Sequence, residues 1–334
     1  MDNISYSVVI RTLGNAGDKY RSLLDSIQSQ TVQPEEIIVA IPDGCELDHT
    51  IGTERIVRCE KGMVTQRAVG INEAKSEYIL VVDDDVEFPS DFVEGLHHFM
   101  TKNNLDCVLP MDGISESNVS ELNLNLPFFK RIRGAVTGQV FVSSRKSKFL
   151  DKITYTAGHR IFKKSNKLDG CYYCQCGNFQ CFYLSTNAAK NVNFLDETWL
   201  ETGTITRYAS YDDPTFFYKL YLQGGKIAYS LRSRYLHLDA TAGRQTKTKQ
   251  EEKVIRYYSV AKNRTIFWYK FIWKQKADFA HKVAAFCGGF YGTFNYTIYN
   301  LVINFMPKNW GAIKAMFVGY KEAFSYIKQL RRGI

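Results

Sequence analysis

Over residues 5–110, short aliphatic and β-branched runs alternate with stretches whose apolar side chains recur at helical spacing. No other feature constrains the fold as tightly. Tyr6-Ser7-Val8-Val9-Ile10, Glu36 to Ile41 and Tyr78 to Val82 are nearly continuous apolar runs, the pattern of strands buried on both faces. Between them, Asp18 to Gln30 places Tyr20, Leu23, Leu24 and Ile27 on one helical face, and Met63 to Ala74 reads as a second helix. Strands alternating with helices predict βαβ units and a largely parallel sheet, so the fold class is α/β. In such sheets ligands sit beyond the carboxyl ends of the strands. Arg11, Asp43 in the turn Pro42-Asp43-Gly44, and Asp83-Asp84-Asp85 all fall at such ends. The three loops are predicted to converge on one site.

Three consecutive aspartates after an apolar strand repel one another and raise each other's pKa. A divalent cation removes that penalty, and Mg²⁺ or Mn²⁺ favours carboxylate oxygens together with substrate phosphates. In extended chain Asp83 and Asp85 point to one side and Asp84 to the other, which makes Asp83 and Asp85 the expected metal pair. A second carboxylate pair, Asp212-Asp213, precedes Pro214 and a helix expected from Thr215 to Leu222, ended by Gly224-Gly225 and followed by a strand from Lys226 to Tyr229. One aspartate serves as an N-cap before a proline at the first helical position. The other exceeds what a cap needs, and is free to act as a general base.

These pieces, taken in order, resemble an inverting glycosyltransferase of family 2 with the GT-A fold. The resemblance runs through Ser7 to Thr12, Gln30-Thr31 to Val39 with Asp43-Gly44, Gly62 to Gly70 with Arg67, and Tyr78 to Asp85. It continues through Gly177-Asn178, Tyr211-Asp212-Asp213 to Lys226, and Tyr257 to Arg264. It implies a nucleotide-sugar donor, a bound Mn²⁺ or Mg²⁺, and transfer to a glycan or lipid-linked glycan. By that analogy Arg11, Thr12 and Asp43 lie with the nucleotide, Arg67 approaches the diphosphate, and Asp83 with Asp84 contacts the donor. Asp83 and Asp85 form the Asp-x-Asp metal motif, with His237 as a further ligand. Asp213 matches the catalytic base, and Asp212 stands where Glu is commoner. The second loop departs from the commoner Asp-Asp-Gly-Ser, and the Gln-x-x-Arg-Trp motif of processive synthases is absent, which favours single addition.

The chain has 334 residues, 45% hydrophobic and 23% charged, a composition that buries a core and excludes a disordered or fibrous protein. The formal charge of +9 is unevenly placed: residues 241–334 hold 17 Lys+Arg against four acids, +13, which leaves −4 for residues 1–240. A catalytic domain over 1–240 is expected, with the donor on 1–110 and the acceptor side on 111–240, followed by a basic, aromatic helical extension over 241–334. Residues 111–175, with basic stretches at Lys130 to Arg133, Arg145 to Lys148 and Lys163-Lys164, read as loops and short strands. The N-terminus lacks a basic, apolar leader and the eight cysteines are irregularly spaced, so a reducing cytoplasm is expected. Cys171, Cys174, Cys176 and Cys181 do not match the two separated pairs of a structural zinc site. Cys174 and Cys176 suit one face of a buried strand.

Val283 to Met306 is 24 residues without a charge, long enough to cross a membrane. Thr293, Thr297, Asn300 and Asn304 form a polar stripe along it, which argues against a span. After Pro307 a helix is expected with Ile313, Phe317, Tyr320, Phe324 and Ile327 on one side and Lys314, Lys321 and Lys328 along its flank. The tail therefore reads as a peripheral attachment to an anionic membrane surface, on the inner face of the cell membrane. Two other readings fit less of the chain. A metal-dependent nucleotidyltransferase wants a Gly-rich basic loop, which Arg11-Thr12-Leu13-Gly14-Asn15 matches weakly. A non-enzymatic nucleic-acid-binding protein leaves the five aspartates without a role, and no nucleic-acid partner is expected.

Overall fold

The computed structural model describes residues 4–113, 127–163, 170–238, 248–303 and 309–332. Asn304 and Lys164 lie outside the described residues, as does the expected domain boundary at 240/241. The chain forms two compact units, each drawn from several stretches: Met1–Leu122, Lys164–Thr198 and Lys219–Gln245 in the first, Asn123–Lys163, Trp199–Tyr218 and Thr246–Ile334 in the second.

The first unit carries β1 (Tyr6–Arg11), α1 (Asp18–Gln28), β2 (Glu36–Pro42), β3 (Glu54–Cys59), α2 (Met63–Glu73), β4 (Tyr78–Asp83), β5 (Val86–Glu87), α3 (Phe92–Lys102) and β6 (Cys107–Asp112). Further along the chain come β10 (Tyr172–Cys174), β11 (Cys181–Ser185), α5 (Thr186–Asn191) and β12 (Ile227–His237). Its strands are hydrogen-bonded in the order β3-β2-β1-β4-β11-β6-β12-β10, with β5 on β12. β3, β2, β1 and β4 run parallel, while β11 is antiparallel to both β4 and β6. Val8, Ile10, Val39, Leu80 and Val82 are fully buried against Tyr20, Leu23 and Ile27 of α1 and Phe92 and Leu96 of α3. This two-sided burial is why the strands read as unbroken apolar runs. The register sets Arg11 opposite Asp83 on β4 and Ala40 on β2. α2 lies close on the sheet because Gly70 has no side chain: a Cβ there would stand 2.6 Å from Val9 Cγ1. That approach brings Gln66 and Arg67 to the strand ends, where Gln66 Nε2 donates to the carbonyls of Thr12 at 2.8 Å and Ala40 at 3.0 Å. Cys174, Cys176 and Cys181 are buried.

The second unit holds α4 (Phe128–Val136), β7 (Val140–Lys146), β8 (Phe149–Ile153), β9 (His159–Lys163), α7 (Lys249–Trp268), a π-helical turn (Tyr269–Trp273), α8 (Phe279–Ile303) and α9 (Trp310–Arg332). β9 pairs parallel with β7 and antiparallel with β8. α6 (Asp212–Leu222) begins in this unit's stretch and ends in the first unit's. The basic segment Lys130 to Arg133, expected as loop, is helical. Its charges mask an amphipathic turn whose apolar members are Phe128, Phe129, Ile132 and Val136.

α7 opens with a capping box: Thr248 Oγ1 accepts from the Glu251 amide at 3.2 Å, and Glu251 Oε2 accepts from the Thr248 amide at 2.7 Å. Its later turns bury Lys262, Asn263 and Arg264, each aimed at backbone carbonyls from other segments. Lys262 donates to Trp199 and Thr202, and Asn263 to Leu200 at 2.9 Å and Ser210 at 2.8 Å. Arg264, 6% exposed as a residue, donates through its guanidinium to Thr137 at 3.1 Å, Gly138 at 2.7 Å and Thr156 at 2.9 and 3.0 Å. A Cβ on Gly292 of α8 would stand 2.8 Å from Arg264 Nη2 and 3.0 Å from the Thr156 carbonyl, so only glycine admits this contact.

On α9 the buried face combines the small residues Ala312, Ala315, Gly319 and Ala323 with Met316. Tyr320 and Ile327 lie on it, but Phe317 and Phe324 are exposed, so the apolar side expected from the sequence divides in two. α8 is turned the same way. Its polar stripe faces inward: Asn300 is buried, and Thr297 Oγ1 meets the Tyr320 hydroxyl at 3.1 Å. Its exposed positions include Phe286, Phe290, Phe294 and Val302. Among the described residues, no helix is long and apolar enough to cross a membrane.

Candidate active site

At the end of β4 the three aspartates take three different sets of partners. Asp83, the last residue of the strand, accepts from Arg11 Nε at 3.0 Å and from Arg67 Nη2 at 3.0 and 3.2 Å. Arg67, on α2, is buried, with the Phe179 ring 4.3 Å from its guanidinium carbon. The resemblance assigns Arg67 to a diphosphate; here its charge is committed to Asp83. Two guanidinium groups on one carboxylate neutralise Asp83 and offset part of the negative charge of Asp84 and Asp85 beside it.

Asp84 accepts from Thr12 Oγ1 at 2.5 Å. Thr12 is itself buried, and its hydroxyl also receives the Gly14 amide at 2.9 Å. Burial pushes the Asp84 carboxyl up to about 6; the Thr12 hydroxyl and Arg11 oppose the shift, while Asp83 and Asp85 reinforce it. Asp85 lies past the strand end, and its Oδ2 is 3.1 Å from Nε2 of His237, the last residue of β12. The Leu238 amide holds the Asp85 carbonyl at 2.7 Å, so the chains of both residues are fixed together.

Gln180 Nε2 lies 3.2 Å from His237 Nε2, and Gln180 Oε1 accepts from the Tyr235 hydroxyl at 2.9 Å and from Asn178 Nδ2 at 2.7 Å. Gly177-Asn178 thus acts on the site through Gln180, a residue the sequence reading did not single out. Asp43 is exposed at the tip of the turn in which the Cys45 amide bonds the Pro42 carbonyl at 3.1 Å. The first unit therefore gathers Arg11, Thr12, Arg67, Asp83, Asp84, Asp85 and His237 through direct contacts, with Asp43 on the turn after β2. Asp83 meets Arg11 and Arg67 while Asp85 meets His237: the chain leaves the strand between them, and the alternation of an extended run no longer applies.

In the second unit, α6 starts at Asp212, one turn earlier than the sequence suggested, so Asp212 and Asp213 both lie in the first helical turn. Neither is the residue before the helix. That place belongs to Tyr211, whose backbone is left-handed at φ 75°. Asp212 is buried and Asp213 is partly exposed. Asp213 also acts on His159, a residue missed in the sequence. Burial works against protonating His159. Asp151, which accepts from the imidazole Nδ1 at 3.0 Å, and Asp213 outweigh it and raise the pKa, with Arg264 opposing them. Asp151 and His159 sit eight residues apart on β8 and β9, a spacing that means nothing until the hairpin between them is known.

Mixed α/β architecture with aspartates at the strand ends is that of a GT-A enzyme. Residues 7–150 match the family model described as Glycosyl transferase family 2. The chain carries a glycosyltransferase domain of that family and is a glycosyltransferase. No curated protein matches it. Among solved structures it is similar to TarS 1–349 of S. aureus, with 15% identity and a TM-score of 0.51 over 99% of this chain and 92% of that one. It is also similar to the same protein in complex with UDP-GlcNAc, with 14% identity and a TM-score of 0.52 over the same shares. At these identities the likeness concerns the fold.

Proposed function

We propose that the protein transfers a sugar, with inversion, from a nucleoside-diphosphate-sugar held by the first unit to a hydroxyl of a glycan or lipid-linked glycan. The observation that carries this reading is the Asp85–His237 pair beside an Asp83 clamped by two arginines. Two ligands placed cis on an octahedral ion with bonds of about 2.1 Å lie about 3.0 Å apart. The 3.1 Å between Asp85 Oδ2 and His237 Nε2 fits that requirement, and one carboxylate oxygen with one imidazole nitrogen suits Mn²⁺ or Mg²⁺. Asp85 and His237 would hold the ion. When bound, the cation supplies neutralisation of the charge on the departing nucleoside diphosphate.

The chain's own groups do the rest. Arg11 and Arg67 add positive potential at the same strand ends, with Asp83 fixing their directions. Asp43 and Thr12 stand by the nucleoside. Asp213 takes the proton of the acceptor hydroxyl as its oxygen bonds to the anomeric carbon and the bond to the diphosphate oxygen breaks. Asp212 shares the turn and adds charge that favours a proton on its neighbour. The exposed apolar side chains of α8 and the basic character of residues 241–334 support attachment to an anionic membrane surface on the cytoplasmic side.

Release of nucleoside diphosphate from UDP-, GDP- and dTDP-sugars tests the reading, with UDP-GlcNAc first, in Mn²⁺ and in EDTA. Turnover of one donor that disappears in EDTA and in Asp85→Asn is expected. Turnover at an unchanged rate in EDTA would remove the metal from the reading.

A further inference from the structure

The second unit contains a cavity of about 390 Å³ lined by α4, α7 and the last turns of α8. Three cations border it, Arg133, Lys253 and Arg256, together with Tyr257, Tyr299 and Asn300. Among the described residues that line it there is no carboxylate. Arg133 and Arg256 are exposed, while Lys253 is half-buried and also donates to Asn309 Oδ1 at 2.9 Å. Arg256 and Lys253 both lie over the Tyr257 ring, at 5.9 and 5.8 Å, which keeps their long side chains on the cavity side of α7. Three positive groups bordering one hollow set up a positive potential that attracts an anion. The volume is that of a small-ligand site, about 300–1,000 Å³.

Two of the three bordering helices also expose aromatic side chains. On α4 Phe128 is 69% and Phe129 81% exposed; on α8 Phe286 is 61%, Phe290 63% and Phe294 50% exposed. The α8 residues recur every four positions and leave the polar stripe turned inward, the reverse of a helix that faces water. Tyr291 of α8 donates to the Ala135 carbonyl of α4 at 3.0 Å, so the two helices are tied together. Exposed aromatic rings joined to a cationic hollow match an interface that is apolar within and carries phosphates at its surface.

We infer that the cavity of Arg133, Lys253 and Arg256 binds the phosphate of an anionic lipid headgroup while the α4 and α8 aromatics enter the acyl boundary of the same bilayer leaflet. The inference rests on the membrane attachment proposed above and names the surface and the lipid group that effect it.

The test is co-sedimentation of the full chain with sucrose-loaded vesicles of phosphatidylcholine alone or mixed with phosphatidylglycerol. Wild type is expected to partition to the mixed vesicles and poorly to phosphatidylcholine. The triple variant Arg133→Gln/Lys253→Gln/Arg256→Gln should lose at least about tenfold in partition, since each basic group near an anionic surface contributes a factor of about five. Lys314→Gln/Lys321→Gln/Lys328→Gln removes the same charge from α9 and should lose far less. Phe286→Ser/Phe290→Ser/Phe294→Ser should weaken binding to both vesicle types. All these positions are at least partly exposed, and unchanged circular dichroism confirms that each variant folds.

Equal losses in the two charge triples would overturn the cavity but leave membrane attachment standing. No sedimentation of wild type with any vesicle would overturn both. A wild-type dimer in sedimentation velocity that the Phe variant splits would assign the aromatic face to a second copy. Inorganic phosphate binding as tightly as soluble dioctanoyl phosphatidylglycerol would make the cavity a free-anion site and sink the lipid assignment.

Discussion

The Tyr211 hydroxyl donates to the Ala157 carbonyl at 3.0 Å, and both residues hold left-handed backbone, φ 75° and φ 58°. Neither residue favours that region, and each such placement costs about 1–3 kcal/mol unless its surroundings fix it. Here two strained positions fix each other, one immediately before the Asp212-Asp213 turn and the other two residues before His159. The aspartates are thereby held on a backbone that has no easy alternative.

Removing the Tyr211 hydroxyl should therefore loosen the base rather than the fold. Tyr211→Phe is expected to cost about 1 kcal/mol of stability. It should lower kcat about tenfold with KM for the donor little changed, as misplaced catalytic groups do. Asp213→Asn should lower kcat by about 10²–10⁴. Steady-state kinetics with a saturating acceptor separates the two, and a Tyr211→Phe enzyme that loses stability but keeps kcat would show that the bond has no catalytic consequence.

Metal binding should divide the aspartates. Asp85→Asn and His237→Ala are expected to abolish high-affinity Mn²⁺ binding measured by electron paramagnetic resonance. Asp83→Asn should keep Mn²⁺ affinity within a few fold, because its carboxylate is occupied by Arg11 and Arg67. It should instead destabilise the protein, by about 3–5 kcal/mol, since buried Arg67 loses its counter-charge. Loss of Mn²⁺ in Asp83→Asn equal to that in Asp85→Asn would return Asp83 to the ion.

Asp84 gives stability a pH dependence opposite to that of most carboxylates. Its folded pKa, about 6, lies above the ordinary 3.8, so the folded state holds a proton that the unfolded state releases. Its contribution is complete below pH 3.8 and is lost as pH rises through about 6. In EDTA, the thermal midpoint of wild type relative to Asp84→Asn should fall between pH 4 and pH 7, an effect on the order of 2 kcal/mol. A constant difference across that window would mean that Asp84 is ionised throughout.

Arg264 is predicted to be the most sensitive position of α7. Arg264→Leu takes the guanidinium donor from the Thr137 and Thr156 carbonyls and leaves Gly138 with only the Thr156 hydroxyl, at about 3 kcal/mol or more. Arg264→Lys restores a charge but not the planar fork, and should recover only part of the loss. Urea denaturation of the two variants measures the difference.

β1, β2 and β4 were legible because strands covered on both faces announce themselves by composition alone. The aspartates at their ends were legible for the same reason, yet their partners were not. Whether Asp83 or Asp85 meets His237 depends on the strand ending at Asp83, and a run of three identical residues does not say where a strand ends. α4 was hidden because Lys130, Arg131 and Arg133 outweigh its aromatic face. His159 was hidden because its partners, Asp151 and Asp213, are neighbours only in space. The polar stripe of α8 was visible, but periodicity shows that a helix has two faces, not which of them turns inward. On α9 the decisive residues were alanines and Gly319, which carry almost no hydrophobic signal and are buried for their size.

Lys262, Asn263 and Arg264 are consecutive, yet the carbonyls they grip lie at Trp199 to Thr202, at Leu200 and Ser210, and at Thr137 to Thr156. During synthesis those older segments leave the ribosome before the α7 donors exist. Asp213 is present in the chain some fifty residues before the helix that steadies its surroundings has emerged. A nascent chain halted before Arg264 would hold the proposed base, Asp213, without the donors that tie together the segments around it.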